Sequence, residues 1–133
     1  MARYEQDSPF GFEELEVYKA ARAFRGRIYR LVSRLPAEEG FAVAQQMRRA
    51  AVSLTSNLAE GYGRHHWQEN SQFCRQARGS LLELIDQINV CIDQSYADKE
   101  QLLALKQDNG VQLLKLLNGY IAYLQRQKSC REA

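Results

Sequence analysis

The sequence predicts an all-α protein, a left-handed antiparallel four-helix bundle with up-down-up-down topology. Apolar residues recur at steps of three and four along most of the chain, and no stretch alternates as a β-strand would. Only two prolines and eight glycines occur among 133 residues. A chain of this length forms one domain by default and can bury a core without disulfide bonds.

The first helix is predicted over residues 12–35, after a flexible arm at residues 1–11. Three glutamates fall in its first turn, where the helix dipole favours negative charge. Pro36 ends it, because the residue before a proline resists helical geometry. The seam that should face a partner helix consists of Val17, Ala21, Phe24, Ile28, Leu31 and Leu35.

The second helix is predicted over residues 40–62, packed antiparallel to the first because the link between them is short. Gly61 and Gly63 should end it, since glycine adopts the left-handed conformation at a helix end without strain. Its apolar stripe consists of Val43, Met47, Ala50, Leu54 and Leu58.

The third helix is predicted over residues 68–96 and has two apolar stripes. One consists of Cys74, Ala77, Leu81, Leu84, Ile88 and Cys91. The other consists of Leu82, Ile85, Ile92 and Tyr96. This width exceeds what one core needs, so the helix is either central or also part of a subunit interface.

The fourth helix is predicted over residues 98–127, with a frayed tail at residues 129–133. Asp98 is its expected N-cap, in a capping box with Gln101. Asn109–Gly110 should weaken the helix by about 1 kcal/mol without ending it, because the pattern resumes in register on both sides. One stripe consists of Leu103, Leu114, Leu117, Ile121 and Leu124, and a second of Leu102, Leu105, Leu113, Leu116 and Tyr120.

Basic residues concentrate on the first helix. Six lie between Val17 and Ala37, with no acidic residue among them, although the net charge of the chain is only +2. Arginine suits phosphate because its planar fork donates two parallel hydrogen bonds. The candidate nucleic-acid-binding residues are Lys19, Arg22, Arg27, Arg30, Arg34, Arg48 and Arg49. The alternative is a solvated face balanced by acids on neighbouring helices.

A line of polar residues runs beside the apolar stripe of the second helix. It consists of Ser53, Asn57, Glu60 and Arg64. Such a line is either a polar site in a cleft or a buried hydrogen-bond network that fixes helix register, and the second interpretation is favoured. In that network Arg64 or Arg49 would pair with Glu60.

The sequence offers no catalytic, metal or cofactor site, so we expect a protein that is not an enzyme and needs no cofactor. It has no Gly-x-Ser-x-Gly, no phosphate-binding glycine loop and no Glu-x-x-His pair. His65 and His66 lie near Glu60 and Glu69 at one helix junction, but a loop position is the favoured interpretation.

The cysteines and the N-terminus predict a cytoplasmic protein. The number of cysteines is three and no Cys-x-x-Cys occurs, which indicates reduced thiols, and Cys74 and Cys91 sit at apolar helix positions. The N-terminus has no apolar signal segment. No apolar run approaches the roughly 20 residues that span a bilayer, so no membrane contact is expected.

The surplus apolar surface of the third and fourth helices predicts self-association. A large exposed apolar patch usually marks an interface, and closed homo-oligomers are the common outcome. The alternative is that both stripes are used inside one subunit.

Three motifs resemble a known family. They are residues 46–53 (QMRRAAVS), residues 56–64 (SNLAEGYGR) and Phe73 with Ala77–Ser80 and Glu83. These motifs are similar to the signature of the four-helix-bundle proteins encoded in 23S rRNA intervening sequences, and the likeness extends from about residue 12 to residue 124. Family members often have a proline at the position of Thr55 and a tryptophan at that of Tyr18.

The resemblance implies a short helical protein related to the accessory variability proteins of diversity-generating retroelements. Those are basic five-membered rings that associate with a reverse transcriptase and nucleic acid. By this analogy the protein would be a homopentamer that binds RNA without catalysis. The alternative is a protein-interaction scaffold, an accessory subunit of a nucleic-acid-processing enzyme that makes no nucleic-acid contact itself.

Overall fold

The computed structural model describes residues 9–132, with side chains to residue 127, and this part of the chain contains four helices and no strand. A 3-10 turn over Gly11–Glu14 comes first. Helix α1 spans Glu16–Val32, α2 spans Phe41–Gly63 and α3 spans Trp67–Asp93. Helix α4 has three consecutive segments, an α-helix over Lys99–Ala104, a π-helix over Leu105–Gly110 and an α-helix over Val111–Glu132. The predicted four-helix bundle is confirmed.

One apolar core runs through the bundle, and the predicted stripes of the first three helices supply most of it. All six residues of the first α3 stripe are at most 1% exposed. On α2 the stripe is buried except at its first residue, Val43. On α1 the last two predicted positions, Leu31 and Leu35, are only half-buried, and Val32 is buried instead. Burying each large side chain contributes about 1.5–3 kcal/mol.

Hydrogen bonds and close packing join helices that follow one another in the chain. Near the middle of α2, Ser53 receives a hydrogen bond from Ser80 of α3 at 3.0 Å. Further along α2, Gly61 lies against Asn70, close to the start of α3. Helix α3 also contacts α4, where Lys106 donates to Asn89 at 2.8 Å. The antiparallel arrangement and the handedness of the bundle stay predictions. None of the helices in the described chain has the length and apolarity needed to cross a membrane.

Helix α1 is shorter than predicted at both ends. Leu15 is extended, with ψ of 131°, and separates the 3-10 turn from α1. This bend lets the Phe12 ring pack edge-on against Tyr18, with centroids 4.9 Å apart. At the other end the chain tightens before Pro36, because Leu35 N–H bonds to the Val32 carbonyl three residues back. The flexible arm predicted at residues 1–11 lies mostly outside the described residues.

The prediction that Gly61 and Gly63 end α2 in the left-handed conformation is wrong. No glycine among the described residues has a positive φ, and α2 continues through Gly63. His65 takes the left-handed conformation instead, with φ of 54°. Gly61 serves another purpose, since a Cβ there would lie 2.7 Å from Asn70 Oδ1 and 2.8 Å from Phe73 Cβ. Its missing side chain lets α3 approach α2.

Helix α3 ends at Asp93, three residues before the predicted end, in a Schellman motif. Ser95 is left-handed, with φ of 56°. The Tyr96 N–H bonds to the Cys91 carbonyl at 2.9 Å, and the Ser95 N–H bonds to the Ile92 carbonyl at 3.2 Å. These two bonds satisfy carbonyls that the helix end would leave unpaired.

Helix α4 begins as predicted but differs in its buried stripe. The Asp98 carboxylate caps it by accepting the Gln101 N–H at 3.1 Å. The helix continues through Asn109–Gly110, as predicted, but as a π-helix, whose wider turn rotates the residues that follow. The buried positions combine the two predicted stripes, as Leu102, Leu105, Leu113, Leu117, Ile121 and Leu124. Leu103 and Leu114 are only half-buried.

The C-terminal part of α4 is also longer than predicted. The helix runs to Glu132, past the predicted end at residue 127 and through the predicted frayed tail. No proline or glycine follows Gly119 in the sequence, so nothing in the local chemistry ends the helix earlier.

We expect Gly61→Ala to destabilise the protein, although alanine normally favours a helix. The added methyl group would contact Asn70 and Phe73, and such overpacking costs about 1–3 kcal/mol. Gly79→Ala is the matched control, because that helical glycine has no atom within 4 Å of an added Cβ. It should stabilise the protein by about 0.5–1 kcal/mol. Urea unfolding followed by circular dichroism measures both changes, and equal effects would contradict the close approach.

Candidate nucleic-acid interface

Three of the predicted arginines line a groove between α1 and α4. Arg27 and Arg30 are three residues apart on α1, which places them on one side of the helix, and Arg34 lies in the turn that follows it. The groove measures about 270 Å³, and Gln101 and Asn109 of α4 also line it. Apolar residues of both helices complete its lining, namely Leu31, Leu102, Ala104 and Leu105.

The other two grouped arginines lie in a separate groove, between α1 and α2. Arg48 and Arg49 line it with Tyr29 and Val52, and its volume is about 740 Å³. Arg49 was a predicted partner of Glu60, but it faces this groove and has no ion pair with a described residue. Five of the candidate residues therefore divide between two grooves, and Lys19 and Arg22 line neither.

Most of the candidate basic residues are free of carboxylates. Between described residues the ion pairs are Lys19–Glu14 at 3.7 Å and Arg64–Glu60 at 3.0 Å. The other six candidates are exposed and pair with no described acid, namely Arg22, Arg27, Arg30, Arg34, Arg48 and Arg49. The alternative was a basic face neutralised by acids of neighbouring helices. At these six positions, no ion pair with a described residue supports it.

Arg25, the remaining basic residue of α1, has a structural contact. Its guanidinium donates to Thr55 Oγ1 at 2.7 Å, and Thr55 is only 2% exposed. The Thr55 hydroxyl in turn donates to the Val52 carbonyl at 3.2 Å. The Thr55 hydroxyl thus links α1 to α2.

The predicted polar line of α2 separates into two parts. Asn57 Nδ2 donates to the Ser53 carbonyl at 2.9 Å and to Ser53 Oγ at 3.0 Å, and Ser80 Oγ also donates to Ser53 Oγ. These half-buried groups link α2 to α3. Glu60 and Arg64 form an ion pair instead, with side chains 55% and 47% exposed. Exposed pairs of this kind contribute little to stability.

The junction between α2 and α3 carries features that the sequence did not predict. His66 caps α3, because its Nδ1 accepts the Glu69 N–H at 3.4 Å. Beside it lies an aromatic pocket of about 410 Å³, whose rings come from distant parts of the chain, namely Tyr62, Trp67, Tyr120 and Tyr123. The available sequence signal for this pocket was the pair Tyr62 and Trp67 at the junction of α2 and α3, together with the pair Tyr120 and Tyr123 on α4. No three His, Cys, Asp or Glu residues of the described chain are grouped to bind a metal.

The two cysteines of α3 are buried and poorly suited to nucleophilic chemistry. Burial raises the pKa of the Cys74 thiol from 9.0 to about 12, and it also raises the pKa of the Cys91 thiol. The reactive thiolate is therefore disfavoured at neutral pH. The side chain of Cys130 lies outside the described residues.

Residues 13–119 match the family model described as 23S rRNA-intervening sequence protein. The match covers most of the chain, including both arginine grooves and the polar line of α2. This chain belongs to that family. A search of curated proteins finds no match.

Membership of the 23S rRNA-intervening sequence protein family confirms the resemblance seen in the motifs of α2 and α3. The match ends at residue 119, so Tyr120 and Tyr123 of the aromatic pocket lie beyond it. The family description names an intervening sequence and specifies no reaction.

We expect alkaline pH to destabilise this 23S rRNA-intervening sequence protein through Cys74. Above pH 9.0 the unfolded chain loses a thiol proton that the folded protein keeps until about pH 12. The stabilisation is thus complete below pH 9.0 and declines above it, by up to about 1.4 kcal/mol per pH unit.

The measurement is urea unfolding at several pH values between pH 8 and pH 11, for the natural protein and for Cys74→Ala. The free energy of unfolding of Cys74→Ala should decline less steeply with pH than that of the natural protein. The difference between the two proteins isolates Cys74, because both contain the same lysines and tyrosines. Identical pH dependence would mean that the native thiol ionises normally.

Proposed function

We propose that this protein is a non-catalytic, oligomeric bundle that binds RNA phosphates in the groove between α1 and α4. The observation that carries the proposal is the set of Arg27, Arg30 and Arg34, which line one groove without a carboxylate partner among the described residues. Three uncompensated cations in one groove attract an anion with several charges, as an RNA backbone is.

The side chains of the groove are better suited to binding a phosphate group than to binding a ligand with a single carboxylate. Each guanidinium can donate two parallel hydrogen bonds to phosphate oxygens. Gln101 and Asn109 add amide donors on the α4 side.

The remaining candidates would extend this contact. Arg48 and Arg49 provide a second phosphate site in the groove between α1 and α2, and Arg22 and Lys19 lie exposed on α1. Phosphate contacts carry no sequence information, so this binding would select RNA by charge and shape.

We also propose that subunits associate through the groove between α3 and α4. Leu82 and Val111 are 52% and 43% exposed, and Ile85 and Leu114 lie beside them. Exposed apolar surface of this kind favours an interface. The resemblance implies a ring of five subunits, and the two buried free cysteines agree with a reducing, cytoplasmic compartment.

The second candidate function is a protein-interaction scaffold. The same apolar groove favours it, because a partner protein could cover Leu82 and Val111 in place of another subunit. The basic grooves would then contact acids of that partner. Binding that survives nuclease and high salt would support this alternative.

We expect Arg30→Glu combined with Arg34→Glu to weaken RNA binding by about ten-fold or more, because each substitution removes a charged donor and adds repulsion. The plot of log affinity against log salt should flatten by roughly 0.7 for each phosphate that the protein no longer binds. The measurement is a filter-binding titration with single-stranded RNA at several salt concentrations.

The matched control is Arg75→Glu combined with Lys115→Glu, which changes the net charge equally. Both residues are exposed and lie outside the two arginine grooves. An equal loss of affinity in this control would show that only total charge matters and would refute the groove as the site.

We expect Val111→Glu to convert the oligomer into smaller species, because a carboxylate would have to be buried in the subunit interface. Val52→Glu is the matched control, since Val52 is 44% exposed and Val111 is 43% exposed, but Val52 lies on α2. Light scattering after gel filtration gives both masses. An unchanged mass for Val111→Glu would exclude this face as the interface.

A further inference from the structure

An aromatic pocket lies at the end of the bundle where α2 joins α3. It measures about 410 Å³, within the range of small-molecule sites. Four parts of the chain line it, namely the residue before α1, the end of α2 with its link, the start of α3, and α4. The lining residues are Leu15, Tyr62, His65, His66, Trp67, Asn70, Tyr120 and Tyr123.

The rings on one side of the pocket hold one another in place. Trp67 meets Tyr123 edge-on, with centroids 6.4 Å apart, and Tyr120 lies nearly parallel to Tyr123, at an angle of 12°. A buried amide fixes Tyr120, because Asn70 Nδ2 donates to its hydroxyl at 3.3 Å. Asn70 is 6% exposed, and its Oδ1 accepts from Cys74 Sγ at 3.4 Å. The pocket is therefore connected to the core.

The lining combines flat apolar faces with neutral polar edges. Tyrosine hydroxyls and imidazole nitrogens can donate or accept hydrogen bonds, and none of the described lining residues is a carboxylate, a lysine or an arginine. An alkyl ligand would leave these polar groups unpaired, which costs free energy. A cation would find no carboxylate among the described lining residues.

A nucleobase matches both properties, because it has π faces for stacking and donors and acceptors along its edge. We propose that this pocket binds the unstacked base of an RNA nucleotide, with stacking on the tyrosine and tryptophan rings. The proposal rests on the proposed RNA binding and deepens it, since the arginine grooves would hold phosphates and the pocket would hold a base.

The pocket and the arginine groove lie towards opposite ends of α1. Leu15 precedes the helix, Arg27 and Arg30 lie 12 and 15 residues further on, and Arg34 follows the end of the helix at Val32. At 1.5 Å per residue, Arg27 and Arg30 are about 18–23 Å from Leu15 along the helix axis. The base and the groove-bound phosphates would therefore belong to nucleotides several positions apart, and the two sites can be tested separately.

The experiment uses the fluorescence of Trp67, the single tryptophan of the chain, which lines the pocket. Uncharged nucleosides (adenosine, guanosine, cytidine and uridine) are titrated into the full protein at high salt. Because nucleosides carry no phosphate, the arginine grooves cannot bind them through phosphate contacts. Free tryptophan amide corrects for light absorption by the nucleosides. We expect a saturable change in emission with at least one of them.

Variants at Tyr123 test whether this response comes from stacking. Tyr123→Leu should weaken nucleoside binding by about 5-fold to 150-fold, the range that one base–aromatic stack gives. Tyr123→Phe keeps the ring and should retain binding. Phe41→Leu is the control, because Phe41 is 57% exposed and lines neither the pocket nor an arginine groove.

The outcomes separate the pocket from the proposed function. Nucleoside binding that persists in Arg30→Glu/Arg34→Glu supports the pocket as a base-binding site. If the natural protein binds nucleosides but no RNA, the proposed function is refuted and the base-binding site is not. RNA binding that Tyr123→Leu leaves unchanged, without any saturable nucleoside response, would overturn the pocket proposal. A response to choline but to no nucleoside would also overturn it and indicate a cation site.

Discussion

The burial of one apolar stripe on α1 fixes the rotation of that helix, and the positions of the arginines depend on it. Ala21, Phe24 and Ile28 are at most 2% exposed in the core. Turning the helix would expose them, at about 1.5–3 kcal/mol for each large side chain, and would bury guanidinium groups without partners. Arg27, Arg30 and Arg34 are thereby held towards α4, and Arg25 towards Thr55 of α2.

Two close approaches to α3 shape the remainder of the bundle. Gly61 admits Asn70 and Phe73 beside the end of α2, and Gly110 admits Ile85 at the π-helix of α4, where a Cβ would lie 2.8 Å from its Cδ1. Neither glycine has a positive φ, so both positions are governed by space and not by backbone freedom. The first approach brings Tyr62 and Trp67 to one pocket. The approach of Ile85 to Gly110 lies at the π-helix, beyond which the buried positions of α4 shift from one predicted stripe to the other.

Asn70 connects the core with the surface. Its side chain accepts a hydrogen bond from Cys74 in the α3 seam and donates one to Tyr120, which lines the aromatic pocket. Burial raises the pKa of the Tyr120 hydroxyl, and the hydrogen bond from Asn70 opposes this effect. A buried amide with partners on both sides restricts the orientation of the ring that it contacts. The polar groups of this chain thus act mainly at junctions between helices.

The heptad spacing by itself predicted the four helices and the α3 seam, because these properties follow from the period of one helix. The basic character of α1 came from the count of charged residues between Val17 and Ala37. The sequence also predicted the Asp98 cap, which involves residues only three apart. The division of the arginines between two grooves, the role of Gly61 and the meeting of Tyr62 with Tyr120 and Tyr123 were decided by the tertiary structure alone. Each of these depends on which helix lies opposite and how closely, and the periodicity of a single segment does not specify the surface of its neighbour.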